Sequence, residues 1–219
     1  MKLNRRAFVG ASLAVGSAAM FTPASLAKPA AGLSPASPLA PPPAAPAAQP
    51  TGVLGEALAA LEQHGSSIVN RDRLGIADYT AHSGEFRFHI ADIEGGEITK
   101  SFLVSHGRGS DPRNSGFVER FSNVPGSNAS SRGSYVTGEL YVGKHGRSRR
   151  LHGLEPENDR AFERAIVIHG ADYVDIAMAE NQGRVGRSLG CFAFERSEIE
   201  NILELLGPGR LLYVAGENA

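Results

Sequence analysis

Apolar residues recur at helical spacing near both ends of the region that can fold. Five of them near residue 53 share one face and predict a short amphipathic helix. They are Val53, Leu54, Ala57, Leu58 and Leu61. A second face predicts a helix near the C-terminus, with Ser197 and Glu200 as a capping box and Gly207 at its end. The members of that face are Ile199, Ile202, Leu203 and Leu206.

Between these helices the chain is mostly composed of short β patterns. Phe86, Phe88 and Ile90 alternate with Arg87 and His89, which predicts a half-buried strand. Other short apolar runs predict further β structure: a return strand at 98–104, a hairpin with strands at 135–136 and 140–142 around a turn at 137–139, a buried strand at 165–168, and a last strand at 211–214.

Two further segments complete the domain. Residues 105–134 are rich in Gly, Ser, Asn and Arg and predict a long loop, a type of segment that is often functional. Asn158 or Asp159 is expected to cap a short helix through Arg164. The whole pattern predicts a mainly β domain over residues 53–219, a sandwich or distorted barrel with a few short helices.

The N-terminal segment has the pattern of an export signal. Residues 1–6 are basic, residues 7–21 are apolar and uncharged, and Ser25 and Ala27 are small residues suited to signal-peptidase cleavage. The pair Arg5-Arg6 resembles a twin-arginine signal. Residues 1–27 are therefore expected to be removed, and the mature protein to act in the periplasm or cell wall. The Pro- and Ala-rich residues 28–52 predict a semi-rigid linker.

Composition limits the partners. The 219-residue chain is 42% hydrophobic, which is enough for a core, and its formal net charge of -1 does not favour nucleic acid. After the signal there is no uncharged apolar run of about 18 residues, so no transmembrane segment is expected in the mature protein. We expect a monomer.

The candidate chemistry centres on the lone cysteine. In an oxidising compartment a single cysteine forms an intermolecular bridge, stays buried and inert, or is a reactive thiol. Cys191 ends a tight Gly-rich turn that begins at Gly186, where backbone N–H groups can approach a ligand. Arg187 adds a positive charge that would favour the thiolate. A reactive thiol also needs a base, and His169, at the end of a predicted strand, is the candidate partner, although such a histidine is often structural.

Other histidines also precede glycine, and this pair alone is a weak signal. They include His106, His145 and His152.

At this point the residues resemble a known family. Ile168-His169-Gly170 followed by Ser188-Leu189-Gly190-Cys191 is similar to the catalytic motif of YkuD-type L,D-transpeptidases. Further similar segments bring the resemblance to about residues 72–215, in the branch described as murein L,D-transpeptidase catalytic domains. Leu189 replaces the usual His before Gly-Cys, and Phe192 also departs from the common pattern.

The resemblance implies a β catalytic domain that acts on peptidoglycan stem peptides without a cofactor. Cys191 would attack the third residue of a tetrapeptide stem, release D-Ala, and pass the acyl group to another stem as a 3→3 cross-link. His169 would be the general base, and Ser188 would orient His169 or contact substrate. The N–H groups of Gly190 and Cys191 would stabilise the oxyanion. We expect the substrate to contact three residues: His152, Gly170 and Arg187.

Three alternatives remain open at this stage. The first is a zinc hydrolase that uses His145, His152, His169 and Cys191 as ligands, although no tight metal-binding spacing is present. The second is a cysteine L,D-carboxypeptidase or amidase, since hydrolysis and transfer differ only in the acceptor. The third is a non-catalytic wall-binding module on the same fold.

Overall fold

A computed structural model provides the structure of the chain and describes residues 51–217. The predicted signal at 1–27 and nearly all of the predicted linker at 28–52 lie outside the described residues. None of the helices in the described part is long and apolar enough to cross a membrane.

The described residues form three helices and eight strands. In chain order these are α1 Gly52–Gln63, β1 Arg73–Asp78, β2 Phe88–Asp92, β3 Glu97–Phe102, β4 Gly133–Gly143, β5 Gly146–Gly153, β6 Val167–Gly170, α2 Ile176–Gln182, β7 Phe192–Phe194, α3 Ile199–Leu205 and β8 Leu211–Ala215. All strands belong to one sheet in the order β3-β2-β1-β8-β4-β5-β6-β7. The predicted mainly β fold with a few short helices is confirmed.

The sheet is mixed and curls back on itself. β1 pairs with β8, and β6 with β7, in parallel, while the other neighbours are antiparallel. Beyond β3, the Ser105 N–H donates to the Ala193 carbonyl of β7 at 3.0 Å. The rings of Phe88 in β2 and Phe194 in β7 meet edge to face, with centroids 4.7 Å apart. The two ends of the sheet therefore meet, which confirms a distorted barrel.

Helix α1 covers the outer face of the barrel, as its apolar pattern predicts. Ala57 and Leu61 are buried against Leu74 and Ile76 of β1 and Leu211 of β8. Burial of a side chain the size of leucine stabilises the fold by roughly 1.5–3 kcal/mol. The pattern succeeds here because one face of the helix meets one face of the sheet.

The predicted hairpin at 135–142 is wrong. Residues 133–143 form the single strand β4, and the register shifts between Thr137 and Leu140 where a turn was expected. The loop before β8 takes up the irregularity: Thr137 Oγ1 donates to the Gly207 carbonyl at 2.7 Å and the Gly209 N–H donates to the Thr137 carbonyl at 2.7 Å. The true hairpin turn is therefore at Lys144 and His145, between β4 and β5.

Two predicted helix caps are also wrong. Residues 155–165 form successive turns instead of a helix, because Asn158 is buried and donates from Nδ2 to the carbonyls of Arg132 and Ser134, both at 2.9 Å. At α3 the hydroxyl of Ser197 donates to Glu195 at 2.8 Å, and Glu200 pairs with Arg147 at 2.7 Å, so no capping box forms.

Strand β2 begins at Phe88, later than the alternation predicts. Phe86 is 52% exposed, whereas Arg87 is 1% exposed and points into the molecule. The alternation predicts that Phe86 faces the core and Arg87 faces solvent, and the structure shows the reverse. Arg87 is buried because hydrogen-bond acceptors in the interior hold its guanidinium.

Candidate active site

The structure brings Cys191 and His169 to one pocket. Strands β6 and β7 are parallel neighbours in which Ile168 is opposite Phe192, so Cys191 lies next to Val167. Side chains two residues apart on a strand share a face, and Val167, His169 and Cys191 all line a cavity of about 440 Å³. The strand-end histidine and the turn cysteine therefore open onto the same space.

This pocket is lined by positively charged side chains. No Asp or Glu of the described residues lines it, whereas it contains three basic side chains and two histidines. The lining residues are Tyr141, Lys144, His145, Arg164, Ala165, Val167, His169, Tyr173, Arg187, Ser188, Leu189 and Cys191. A second cavity of about 450 Å³ lies beside α1 and β8 and contains neither Cys191 nor His169, so both candidate residues belong to the first cavity.

The thiol of Cys191 is half-buried and protonated near neutral pH. Its Sγ–H donates to the Ala165 carbonyl at 3.5 Å. Burial raises the pKa of the Cys191 thiol, and this outweighs the opposing effects of the Val167 N–H and of the charges on Lys144 and Arg164. The thiol therefore needs a base when it reacts.

His169 has the protonation state that such a base requires. Its Nδ1 lies 3.0 Å from the Gly170 carbonyl, which can only accept, so Nδ1 carries the proton and Nε2 is the acceptor. The ring also stacks on His145, with centroids 4.2 Å apart. Burial lowers the pKa of His169 to about 4; His145, Arg196 and Lys144 lower it further, and the bond to the Gly170 carbonyl opposes them. The imidazole is therefore neutral at pH 7 and able to accept a proton.

Ser188 shapes the turn that carries Cys191. Its hydroxyl donates to the Cys191 carbonyl at 2.7 Å and accepts from the Gly190 N–H at 3.1 Å. The N–H of Gly190, predicted as an oxyanion donor, is thus used within the turn. Within residues 51–217 the N–H of Cys191 has no hydrogen-bond partner, so it is one backbone donor available to a ligand.

Gly190 is required by the shape of this turn. Its φ of +114° lies in the left-handed half of backbone space, where side chains are strained. A Cβ at this position would lie 2.6 Å from the Ala129 carbonyl oxygen and 2.8 Å from Ile166 Cδ1. The close approach of the turn to the neighbouring loop therefore needs glycine.

The three predicted substrate contacts occupy different places. Arg187 lines the pocket, but one of its Nη atoms donates to the Asp111 carbonyl, and the charges that favour the thiolate are instead those of Lys144 and Arg164. Gly170 is buried outside the pocket lining and holds the ring of His169 through its carbonyl. The structure does not bring His152 to the pocket.

His152 belongs to a group of stacked side chains that borders the pocket at Tyr141. It lies 5.0 Å from Phe162, with the rings nearly parallel, and Arg150 lies over both Phe162 and Tyr141. His152 is therefore not among the residues that line the pocket, and its contact with substrate stays a prediction.

Sequence reasoning did not identify Lys144 and Arg164 as parts of the site. Lys144 is at the tip of the β4–β5 hairpin, and the misplaced turn hid it. The half-buried guanidinium of Arg164 donates to the Ser122 carbonyl at 2.7 Å and the Ala129 carbonyl at 2.5 Å, so its charge is fixed beside Gly190. The adjacent residues His145 and Gly146 were the sequence feature that pointed to the tip of this hairpin.

Groups of three or more His, Cys, Asp or Glu side chains suited to hold a metal ion are absent among the described residues. The zinc alternative named four ligands, of which His145, His169 and Cys191 line the pocket and His152 does not.

The fold and the site define a class of protein: a mainly β distorted barrel with a cysteine and a neutral histidine in one cationic pocket. The sequence profile described as the L,D-transpeptidase catalytic domain matches residues 47–215. The chain belongs to this family of L,D-transpeptidase-type enzymes. The match begins before the predicted domain start at 53 and ends at the last residue of β8.

Solved structures of low sequence identity are similar. An L,D-transpeptidase from Mycobacterium smegmatis is 15% identical over 66% of this chain and 59% of that chain, with a TM-score of 0.40. The helical cell shape determining protein Pgp2 from Campylobacter jejuni is 12% identical over 78% of this chain and 58% of that chain, with a TM-score of 0.46. The chain thus spans about three fifths of these proteins. No curated protein sequence matches it.

Proposed function

We propose that this protein is a peptidoglycan-modifying cysteine acyltransferase, an L,D-transpeptidase that forms 3→3 cross-links through a thioester on Cys191. The observation that carries the proposal is the placement of Cys191 and the neutral His169 in one pocket, with Nε2 of His169 as the acceptor. Family membership supplies the substrate class.

The first half of the reaction forms the thioester. As Sγ of Cys191 attacks the carbonyl carbon of the third stem residue, Nε2 of His169 takes the thiol proton. A C–S bond forms, and the negative charge on oxygen is stabilised by the Cys191 N–H. The C–N bond to D-Ala then breaks, and the imidazolium of His169 returns the proton to the leaving amine.

The second half transfers the acyl group. A side-chain amine of another stem attacks the thioester, Nε2 of His169 accepts its proton, and the C–S bond breaks as the thiol is restored. Water as the acceptor would give hydrolysis by the same steps. The pocket needs no cofactor for either outcome, because the sulfur is the nucleophile and the imidazole moves the proton.

The charge of the pocket supports a peptidic substrate with free carboxylates. Lys144, Arg164 and Arg187 line it, and no acidic side chain of the described residues does. Stem peptides carry carboxylates at their ends and on diamino acid side chains, and complementary charge favours their approach.

The decisive test incubates the purified protein with disaccharide-tetrapeptides and identifies the products by mass spectrometry. We expect cross-linked dimers and free D-Ala from the wild type and neither from Cys191→Ala. Disaccharide-tripeptides without dimers would indicate an L,D-carboxypeptidase instead. Wild-type turnover by Cys191→Ala would overturn the mechanism.

A covalent probe tests the thioester chemistry separately. The family resemblance implies that a carbapenem, which offers a strained acyl group, acylates Cys191. We expect a mass adduct on the wild type and none on Cys191→Ala. We also expect Cys191→Ser to be nearly inactive in turnover, because an alkoxide is much harder to form than a thiolate.

We also propose that the protein works outside the cytoplasm, in the periplasm or cell wall. The pattern of residues 1–27 supports this location, as does a family that acts on the cell wall. N-terminal sequencing of the protein from cells should find the chain beginning after Ala27. A mature chain that still begins at Met1 or Lys2 would contradict the proposal.

A further inference from the structure

Three charged or titratable side chains are buried together outside the active-site pocket. Arg87 is 1% exposed, and His106 and Asp111 are both 0% exposed. None of them lines the pocket, and the reaction described above uses none of them. Burial of an arginine and a carboxylate is costly unless each is hydrogen-bonded, so this arrangement needs an explanation.

The three side chains form a directed chain of hydrogen bonds. Nη2 of Arg87 can only donate, and it lies 2.7 Å from Nδ1 of His106. His106 therefore carries its proton on Nε2, which donates to Oδ2 of Asp111 at 3.3 Å. Asp111 also accepts from the N–H groups of Ser115 at 2.7 Å and Gly116 at 2.9 Å. The triad thus fixes the first part of the 105–134 loop.

The same loop holds the nucleophile turn. The N–H of Ser188 donates to the His106 carbonyl at 2.9 Å, and the carbonyl of Ser188 accepts from the Arg108 N–H at 2.9 Å. Arg187 donates from its guanidinium to the Asp111 carbonyl. Residues 106–111 therefore bond to Arg187 and to both backbone groups of Ser188, the residue whose hydroxyl joins Gly190 to Cys191.

We propose that His106 is a positioning residue, which with Arg87 and Asp111 fixes the loop on which the Ser188–Cys191 turn is held. The residue acts on the reaction through Ser188 and touches neither substrate nor thiol. Polar networks that are fully hydrogen-bonded in a protein interior specify one arrangement of the backbone, which an apolar contact would not. A reactive group displaced by about 1 Å loses about a hundredfold in rate.

The test compares His106→Ala with His106→Gln. The amide nitrogen of Gln reaches the position of Nε2 and can still donate to Asp111, whereas Ala removes both bonds. We expect His106→Ala to lower kcat about a hundredfold, with KM changed by no more than about twofold. We expect His106→Gln to keep about a tenth or more of the wild-type kcat. His89→Ala is the matched control, because His89 on β2 bonds to Ser101 and lies outside this network.

Two further readouts separate positioning from a general loss of stability. Amide hydrogen exchange should rise in residues 186–191 of His106→Ala while the rest of the barrel stays protected. The pH profile of thiol alkylation should shift to lower pH, because burial is the largest cause of the raised pKa of Cys191 and a loosened turn exposes the thiol. Unchanged kcat and unchanged exchange in a folded His106→Ala protein would overturn the proposal.

Only the kcat and KM measurements rest on the proposed function, because they need turnover of stem peptides. If the wild type does not process stem peptides, the proposed function fails, and hydrogen exchange at residues 186–191 still decides whether His106 positions the turn. If His106→Ala does not fold, the comparison is made with His106→Gln, whose exchange in that segment should stay close to that of the wild type. If residues 186–191 of His106→Gln exchange as fast as an unfolded chain while the rest of the protein stays protected, the role of the bond to Asp111 is contradicted.

Discussion

Gly190 shows how one residue connects backbone conformation to chemistry. Its φ of +114° is strained for any side chain, and a Cβ here would lie 2.6 Å from the Ala129 carbonyl oxygen, so there is no room for alanine. We expect Gly190→Ala to lower the free energy of unfolding by about 1–3 kcal/mol and to lower turnover at least tenfold, because the turn must move the thiol. Thermal unfolding and stem-peptide turnover measure the two effects.

The control for this change is Gly126→Ala. Gly126 also has a positive φ, +78°, but a Cβ there would meet nothing within 4 Å. The Gly126→Ala variant should lose some stability through backbone strain and keep the full wild-type turnover. Equal losses of turnover in the two variants would mean that the close approach at Gly190 does not matter for the thiol.

His169 carries the second prediction at the residue scale. If it deprotonates Cys191, His169→Ala should slow both thiol alkylation near neutral pH and turnover by roughly 10²–10⁴-fold, while the barrel stays folded. His82→Ala serves as a control, because His82 packs on Phe117 away from the pocket. Alkylation and turnover at wild-type rates would assign the role of base to another group, with His145 the nearest imidazole in the pocket.

The sequence brought out Cys191 and His169 as the candidate nucleophile and base because each has a local signal: a lone cysteine in a Gly-rich turn, and a histidine at the end of a buried strand. The roles of Ser188 and Gly190 needed the structure, since their hydrogen bonds lie within the turn itself. Arg164 directly precedes β6, but its contacts with Ala129 and Gly190 join segments far apart in the sequence, and no local pattern reports them.

At the scale of elements, the β4–β5 hairpin decides what surrounds the thiol. The sequence pattern placed a turn at 137–139, because Thr137-Gly138-Glu139 looks like a break between two apolar runs. The break is a bulge, and pairing with both β5 and β8 keeps β4 continuous. The hairpin therefore extends to Lys144 and His145, which line the pocket.

This position of Lys144 gives a testable electrostatic effect. Its charge lowers the pKa of the Cys191 thiol, so Lys144→Met should raise that pKa and slow alkylation near neutral pH. Because Lys144 is exposed, we expect only about a twofold to fivefold change, and a smaller one at high salt. The pH profile of alkylation measures the shift.

Lys100→Met is the matched control, since Lys100 lies on β3 near Asn201 and outside the pocket. It should leave the thiol profile unchanged. An equal shift of the thiol pKa in both variants would indicate an effect of net charge. An unchanged thiol pKa in Lys144→Met would mean that the charge at the hairpin tip does not act on Cys191.

At the scale of the whole molecule, the class of fold was predictable and the strand order was not. Alternation and short apolar runs report which residues face a core, and these gave the helix α1, the strand β6 and the mainly β character. The parallel pairings of β1 with β8 and of β6 with β7 join distant segments, and the barrel closes through Ser105 and Ala193. Such contacts depend on tertiary packing that single-sequence patterns do not contain.

Burial of neutral histidines makes the stability of the whole domain depend on pH. Burial lowers the pKa of His106 to about 3 and that of His169 to about 4, against an ordinary value of 6.5. Between these values the unfolded chain binds protons that the folded chain does not, so the free energy of unfolding falls as the pH falls through this window. Each histidine should contribute a loss of roughly 2 kcal/mol between pH 7 and pH 5.

Denaturant unfolding at pH 7, 6 and 5 checks this expectation. The lowered pKa of Asp72 acts on stability only nearer and below its ordinary value of 3.8, so its ion pair with Arg210 does not contribute to the change above pH 5. His169→Gln removes one titrating group and should reduce the loss of stability between pH 7 and pH 5 by about half. A wild-type stability that stays constant over this range would mean that the two imidazoles are not held neutral in the folded protein.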